Sequence, residues 1–561
     1  MKRFLTWQNK ILFAILILAA ILRFWNLGSV PPTASSDEAS IAYNAYSVLK
    51  TGGDEFGKFP LISQQGYDDY RRSTYLLLVV PFVGLFGLNV VSERLPAAIL
   101  SLLTVWATYE IILLLFTKKN SFSYGVAFLG TFLLAISPWH IYISRLGHES
   151  NTCLSFFVFA ILFFLKGLQK KYWFVLSLFF FTLAIIGYYS GQALVPLFGL
   201  GLVLIFGKEL WTTIIKDKKI LLPVGLVTIF LIACLWAVFS PASLIRFRGT
   251  STFDPNAHWD MFHKEVLLHN QAISSHNLLG EIYYNRRMFP LKVFIIGYFD
   301  HFKPSFLFGN SGDAMFKAPN MGLLYWWELP FIFVGFFMIF KTKKISGKKK
   351  SLLYLWFFLA PIPAAIATQT PHAMRAYNFL PTWQVFCAFG ITYVVYMFKK
   401  FRIITVPIII ILAIAGLVSF IQNYFIVFPK HQSHSFEYAF SKALPYVFSI
   451  QNNYKKIIFS NKDSMYQSYM VFLYYDKFDP ALYQRLGGTK SGGYAETHSF
   501  EKYEFRPINF AKDSQLKNVL LIGNVNEFPK IVKGNIFTDL DGNGGVKVVA
   551  IKDKIPLITK E

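Results

Sequence analysis

Long apolar runs, separated by short basic connectors, make up most of the chain before residue 425. Segments such as 221–239 and 403–418 are apolar on every face of a helix, so none of these faces could be solvated in water. Apolar helices of roughly 20 residues cross a bilayer, and the pattern therefore predicts an all-α polytopic membrane protein with about eleven transmembrane helices. We place them near 11–28, 95–116, 122–140, 152–168, 172–188, 191–207, 220–239, 323–340, 351–367, 378–397 and 403–424.

The positions of lysine and arginine predict which ends of these helices face the cytoplasm. With a cytoplasmic N-terminus, every short basic connector lies on one side, including 118–119, 208–219 and the KTKKISGKKK run at 341–350. Such a bias toward one side is what the positive-inside rule requires. We therefore expect a multi-pass protein of the cell (cytoplasmic or inner) membrane with an extracytoplasmic C-terminus.

One more apolar stretch, 75–88, is too short for a regular crossing and contains Pro81. Counting it as a crossing would invert every later connector, so we interpret it as an outer juxtamembrane helix. The first loop (29–94) and a second large loop (240–322) are then both predicted on the outer side.

From residue 426 onward the composition becomes that of a soluble domain. Three β-rich runs and two helical stretches predict a small extracytoplasmic α/β domain at 426–561, following a transmembrane domain at 1–425. The runs are YKKIIFS, NVLLIGN and GVKVVAIK, and the helical stretches are 435–450 and 464–475. The segment 539–544 resembles the start of a calcium loop, but Ala550 stands where a bidentate Glu is needed, so we interpret it as a hairpin turn.

Composition excludes a soluble globular class, since 54% of the residues are hydrophobic, 15% are charged and the mean hydropathy is +0.43. The net charge of +24 does not indicate nucleic-acid binding, because the lysines cluster in the connectors. The three cysteines, Cys153, Cys234 and Cys387, lie in or beside apolar spans without paired spacing, so no disulfide framework or zinc site is predicted.

The strongest candidate for chemistry is Ser36-Asp37-Glu38, just beyond the first predicted helix. A carboxylate at the membrane edge can act as a general base toward an acceptor hydroxyl, since a low dielectric raises its pKa. The alternative is structural: Ser35 or Ser36 caps a helix whose first turn carries both acids. The residues by themselves leave both interpretations open.

Several short motifs occur in an order typical of one group of enzymes. They are Asp37-Glu38-Ala39, Ala42-Tyr43, Gly53-Asp54, Arg94-Leu95-Pro96, Ser144-Arg145 and Glu149-Ser150-Asn151. Over roughly residues 8–425, the chain resembles the GT-C glycosyltransferases, in particular glycosyltransferase family 39 with its protein O-mannosyltransferase and aminoarabinose-transferase branches. The resemblance implies an inverting transfer from a polyprenyl-phosphate sugar, with Asp37 as the catalytic base and Glu38 orienting the acceptor or the base.

A departing lipid phosphate needs fixed positive charge, and arginine suits it through its bidentate fork. The outer-side candidates are Arg71, Arg72, Arg94, Arg145 and Arg375 with its neighbour His372. For Arg94 and Arg145 the alternative is a structural ion pair with Glu93 or Glu149, or contact with lipid headgroups. Arg375 has no acid nearby in sequence, which favours phosphate binding.

No metal is assigned from the sequence, although a divalent cation shared by Asp37 and Glu149 is an open alternative. Expected partners are membrane lipids, a polyprenyl-phosphate sugar donor and an acceptor that the sequence does not identify: a protein, a glycolipid or a wall polymer. No nucleic-acid partner is expected.

Other classes are an O-antigen ligase or polymerase, a polytopic transporter and a non-catalytic scaffold. The lack of an obvious internal repeat and the collection of charged residues at outer helix ends argue against the transporter.

Overall fold

The computed structural model describes residues 7–66, 69–212, 218–239, 251, 258–310, 316–489 and 497–552. Contacts between backbone positions divide the chain into two compact units. The first unit comprises Met1–Arg23, Ala98–Ser144 and Glu149–Phe420, and the second comprises Phe24–Ala97, Arg145–His148 and Ile421–Glu561.

Helices form most of the described part of the chain. They are α1 (Trp7–Phe24), α2 (Ser36–Thr51), α3 (Thr74–Phe86), α4 (Val90–Leu115), α5 (Ser121–Ile136), α6 (Pro138–Ser144), α7 (Glu149–Gly167), α8 (Trp173–Gly187), α9 (Tyr189–Leu210), α10 (Lys218–Val238), α11 (Trp259–Ser274), α12 (Leu278–Tyr283), α13 (Phe289–Asp300), α14 (Pro304–Leu307), α15 (Leu329–Lys341), α16 (Gly347–Leu359), α17 (Ile362–Ala365), α18 (Thr382–Met397), α19 (Arg402–Ile421), α20 (Phe428–His431), α21 (Tyr438–Ile450), α22 (Ser468–Asp476), α23 (Pro480–Arg485) and α24 (Phe510–Asp513).

The strands are β1 (Ser63–Gly66), β2 (Asp69–Arg72), β3 (Lys456–Phe459), β4 (His498–Phe500), β5 (Tyr503–Phe505), β6 (Val519–Asn524), β7 (Asn535–Phe537) and β8 (Val546–Ile551).

Every segment predicted to cross the membrane contains a helix, and the predicted juxtamembrane stretch is α3. Within the described residues, seven helices are long and apolar enough to cross a membrane, or eight if the pair α5 and α6, bent by 54°, forms one span. Helices α8, α15 and α16 are shorter, at 15, 13 and 13 residues. The fold class is thus confirmed as a mostly helical multi-pass membrane protein, whereas the number of about eleven spans stays a prediction.

Two helices of the first unit, α15 and α18, cross in backbone contact at a pair of glycines. A Cβ atom on Gly335 would overlap the carbonyl of Phe386, and one on Gly390 would overlap the carbonyl of Phe331. Small residues at such crossings allow close van der Waals packing, which is a main source of helix association inside a bilayer.

The second unit contains a six-stranded sheet in the order β4-β5-β3-β6-β8-β7. Strand β3 runs parallel to β5 and β6, and the remaining pairs are antiparallel. Strands β3, β6 and β8 confirm the predicted β-rich runs, and α21 and α22 confirm the predicted helices. The segment 539–544 joins the antiparallel strands β7 and β8, so the hairpin interpretation is confirmed.

Helices α2 and α3 share one hydrophobic core with this sheet. Tyr43 and Val79, from the two helices, are fully buried in the same cluster as Ile457 and Phe472 from the C-terminal region. The segment around the Asp37 motif is therefore packed as part of an α/β unit, which explains how residues far apart in sequence reach the first turn of α2.

Candidate functional site

The first turn of α2 is fixed by a capping box between Ser35 and Glu38. The amide of Glu38 donates to Ser35 Oγ at 3.3 Å, and the amide of Ser35 donates to Glu38 Oε2 at 3.0 Å. These two bonds satisfy two amides that the helix itself cannot pair. Glu38 is 2% exposed and takes part in the helix cap. The structural interpretation of the motif therefore applies to Glu38.

The buried carboxylate of Glu38 is held by the guanidinium of Arg94. Arg94 donates from Nε to Glu38 Oε1 at 2.8 Å and from Nη2 to Oε2 at 2.9 Å. Its other three N–H groups donate to the carbonyls of Leu27, Pro31 and Thr33 at 3.0, 2.9 and 2.6 Å. All five donors of Arg94 are thus engaged within the protein, and none is left for a phosphate.

Glu38 is held ionised by the same contacts. Burial would raise its pKa, but the charge and hydrogen bonds of Arg94, with the amides of Gly147 and Ser35, outweigh burial and lower the pKa. The Gly147 amide donates to Glu38 Oε1 at 2.8 Å. Glu38 and Arg94 therefore form a buried ion pair that holds three chain segments together, which supports the structural alternative for Arg94, with Glu38 in place of the expected Glu93 as its partner.

Asp37, one residue earlier, is in the opposite environment. Its side chain is 52% exposed, and Arg71 from β2 donates to its carboxylate. A second contact joins Arg71 Nη1 to the carbonyl of Asp37 at 3.4 Å. The structure therefore brings Asp37 and Arg71 together, and of the two adjacent acids Asp37 is the exposed one.

The side chains of Arg72 and Arg145 contact other groups in this unit. Arg72 is buried and donates from Nη1 to Ser63 Oγ on the neighbouring strand at 2.8 Å. Arg145 donates from Nη2 to the carbonyl of Val30 at 2.8 Å, and its guanidinium lies over the rings of Tyr424 and Phe425 at 5.6 and 4.9 Å. These contacts, with a carbonyl and two rings, favour a structural role for Arg145.

Glu437, which sequence reasoning did not select, lies at the first turn of α2. It is 5% exposed, has φ of 52°, and accepts hydrogen bonds from the backbone and hydroxyl of Ser36. A positive φ is uncommon for residues other than glycine, and such residues are concentrated at functional sites. The sequence contains no signal for this position, because Glu437 follows the last transmembrane segment and resembles any surface acid.

In the first unit, Arg375 and His372 lie in the loop between α17 and α18. Arg375 donates to the carbonyl of Thr368, and the amide of His372 donates to Nε2 of His301 at 3.2 Å. Burial, together with the charge of Arg375, lowers the pKa of His301 to about 4 despite the Gly297 carbonyl and Asp300. His301 is thus a neutral imidazole that supports the loop, and it is a second residue that the sequence analysis missed.

Glu149 begins α7 and is buried in the first unit. Among the residues that the structure describes, no group of three or more His, Cys, Asp or Glu side chains could hold a metal ion. The divalent-cation alternative gains no support from this part of the chain.

Comparison with known proteins identifies the fold of the chain. A family model described as dolichyl-phosphate-mannose-protein mannosyltransferase matches residues 75–237. No curated protein sequence matches the chain. In the solved structure of ArnT from Cupriavidus metallidurans bound to undecaprenyl phosphate, the same fold covers 98% of this chain and 99% of that chain, at TM-score 0.55 and 10% identity. The chain has the GT-C glycosyltransferase fold.

The apo structure of the same ArnT gives TM-score 0.53 at 10% identity, covering 97% of this chain and 98% of that chain. An Archaeoglobus fulgidus oligosaccharyltransferase covers 83% of this chain and 63% of its own at 14% identity, but its TM-score of 0.46 is too low to support an inference. The family model matches less than half of the chain, and the ArnT structures share its fold, which confirms the resemblance stated from the sequence.

Proposed function

We propose that this membrane glycosyltransferase transfers a sugar from a polyprenyl-phosphate donor to a hydroxyl or amine acceptor on the outer face of the cell membrane, with inversion and with Asp37 as the general base. The ArnT structure that shares the fold is bound to undecaprenyl phosphate, and the matching family model is described by a dolichyl-phosphate sugar. Both names support a lipid-phosphate donor for this chain.

The contrast between two adjacent acids carries the proposal. Glu38 is buried and saturated by Arg94, Gly147 and Ser35, so it has no capacity to take up a proton from a substrate. Asp37 follows the same N-cap but points to an accessible surface. Residues one apart on a helix differ by about 100° in direction, so one acid can anchor the turn while its neighbour faces the substrate.

The transfer requires one proton acceptor and one leaving-group stabiliser. The acceptor O–H or N–H gives its proton to the Asp37 carboxylate as its oxygen or nitrogen forms a bond to the anomeric carbon. On the opposite face, the bond between that carbon and the phosphate oxygen breaks, and polyprenyl phosphate leaves with the electron pair. General-base assistance of this kind contributes about 10²–10⁴-fold to the rate.

Arg71 is the cation that we assign to the leaving phosphate within the second unit. In the structure its guanidinium pairs with Asp37. A donor phosphate would compete for the same N–H groups, and the carboxylate would then be released from a contact that lowers its basicity. Arg375, whose guanidinium donates to the carbonyl of Thr368 in a loop of the first unit, stays a second proposed phosphate ligand.

The test is turnover of purified wild-type protein and the Asp37→Asn variant with a panel of polyprenyl-phosphate sugars, mannose first, and a membrane extract as acceptor source. We expect transfer by the wild type and a loss of about 10²–10⁴-fold in the variant with unchanged polyprenyl-phosphate binding. Asp260→Asn is the matched control, because Asp260 is also an exposed aspartate in the first turn of a helix. Equal turnover by both variants would refute Asp37 as the base, and no turnover of any donor by the wild type would refute the proposed reaction.

A further inference from the structure

The first turn of α2 is bounded on one side by residues of the C-terminal region. The hydroxyl of Thr33 donates to the carbonyl of Phe436, and Ser36 Oγ lies 3.4 Å from the hydroxyl of Tyr466. Between these contacts, Glu437 accepts hydrogen bonds from the amide and the hydroxyl of Ser36. The C-terminal region therefore places a carboxyl group at the helix terminus that carries Asp37.

Among the described residues, the carboxyl groups of Asp37, Glu38 and Glu437 lie at this turn, and guanidinium groups pair with two of the three. Arg94 pairs with Glu38, and Arg71 pairs with Asp37. Within the described part of the chain, Glu437 has no ion pair, and its Oε2 atom is buried without a hydrogen-bond partner. An ionised carboxylate in that position would be costly, since burial of a charge is tolerated only with a partner.

The groups around Glu437 also favour its protonated form. Burial raises its pKa to about 8, and the charges of Asp37 and Glu38 add to the effect against the Ser36 hydrogen bonds. The titratable groups that interact with it are Asp37 and Glu38 on α2 and Tyr475 on α22. His434, three residues earlier in the chain, pairs with Asp539. None of these groups supplies a cation to Glu437 itself. Burial without a cation therefore favours the protonated form of Glu437.

We propose that Glu437 is a positioning residue for Asp37: as a neutral acid it holds Ser36 at the start of α2 and leaves the adjacent Asp37 as the ionised base. This inference rests on the proposed function and assigns to the C-terminal region a part in the reaction. When Glu437 ionises, a second negative charge stands beside Asp37 without a counter-ion. Repulsion then displaces the first turn and moves the Asp37 carboxylate out of reach of the acceptor, so general-base assistance is lost.

The test is the pH profile of kcat/KM for wild type and Glu437→Gln, measured as release of polyprenyl phosphate from polyprenyl-phosphate mannose or whichever panel donor is turned over. Glutamine is a neutral isostere, so the two proteins should be equally active near pH 6–7. The ratio of variant to wild type cancels every ionisation that both share. It should rise above pH 8 and reach about tenfold at pH 9, one unit above the group's pKa.

Glu55→Gln is the matched control, because Glu55 is another buried acid of the same unit, held by Asn44, Tyr469 and Thr489. It should leave the decline above pH 8 in place. Ser36→Ala is the second variant: loss of a hydrogen bond to the Glu437 carboxylate raises the pKa of Glu437 and should move the decline to higher pH. It decides the question if Glu437→Gln does not fold.

The outcomes separate the two hypotheses. A flat ratio from pH 6 to 9 with an inactive Asp37→Asn overturns the role of Glu437 and leaves the proposed reaction standing. If no donor is turned over, the proposed reaction fails. The pH dependence of the melting temperature then decides whether Glu437 ionises: the difference between wild type and Glu437→Gln should change up to about pH 8, and a constant difference overturns the inference.

Discussion

Arginine 94 allows the sharpest test of how the first turn of α2 is built. Replacement by lysine keeps the positive charge and the apolar stem but removes the planar fork. If Arg94 bound the donor phosphate, Arg94→Lys would weaken donor binding and leave stability unchanged. If Arg94 is the structural partner of Glu38, the same change should destabilise the protein.

The size of the effect follows from the hydrogen bonds. Arg94 satisfies five buried acceptors, the two oxygens of Glu38 and the carbonyls of Leu27, Pro31 and Thr33. A lysine ammonium has three donors, so at least two of these five hydrogen bonds are lost. A hydrogen bond to a charged group contributes about 1.5–3 kcal/mol, which gives roughly 3–6 kcal/mol for two.

The measurement is thermal unfolding of detergent-purified protein. The result is expressed as a shift in melting temperature, because membrane proteins commonly unfold irreversibly. A loss of this size in the free energy of unfolding corresponds to a decrease in melting temperature on the order of 10 °C. Arg287→Lys is the control, since Arg287 is exposed. If both variants melt within about 1 °C of wild type while Arg94→Lys alone loses polyprenyl-phosphate binding, the structural interpretation of Arg94 is wrong.

Three further changes test other parts of the structure. Burial raises the pKa of Glu55 from 4.5 to about 7, so the folded state binds this proton more tightly than the unfolded state. The wild type should therefore lose roughly 3 kcal/mol of stability between about pH 4.5 and 7, and Glu55→Gln should abolish this dependence in pH-resolved melting. Arg375→Lys should bind polyprenyl phosphate with an affinity between those of wild type and Arg375→Ala, because lysine keeps the charge without the fork. Gly390→Ala should lower thermal stability by about 1–3 kcal/mol or abolish folding, because its Cβ would overlap the carbonyl of Phe331 on α15.

Each of these changes has a control. Glu501→Gln, at an exposed acid, should keep the pH dependence of the wild type, and a variant at Glu55 that keeps it too would contradict the assigned cause. Equal affinities of all three proteins with Arg, Lys or Ala at position 375 would make that residue structural. Gly199→Ala meets open space and should be neutral, so equal losses at Gly199 and Gly390 would disprove the close crossing.

The sequence alone predicts a helix at every segment where apolar residues cover all faces, because such a segment can bury its backbone only as a helix in lipid. It also predicts the β-rich runs, the hairpin at 539–544 and the possible helix cap at Ser35. Each of these depends on residues close together in the chain, and local periodicity or turn chemistry is sufficient to specify them.

The different fates of Asp37 and Glu38 depend on tertiary contacts. Both acids fit a capped first turn, and both fit a catalytic motif. Glu38 is buried and paired with Arg94, which lies 56 positions later in the chain, whereas Asp37 stays exposed. A pattern of adjacent acids cannot show which one receives a buried partner, because that depends on how the segments pack.

The location and charge state of Glu437 depend entirely on tertiary structure. It is 400 positions from Asp37 in the sequence, and it reaches the same turn because α2, α3 and the C-terminal sheet share one core. Its burial and the absence of an ion pair within the described residues result from that packing, and together they determine its charge. The sequence by itself determined that the chain is a membrane protein with an acidic motif after its first helix. Tertiary packing decided which carboxyl groups are anchored, accessible or neutral, because charge state depends on burial and on partners that folding brings together.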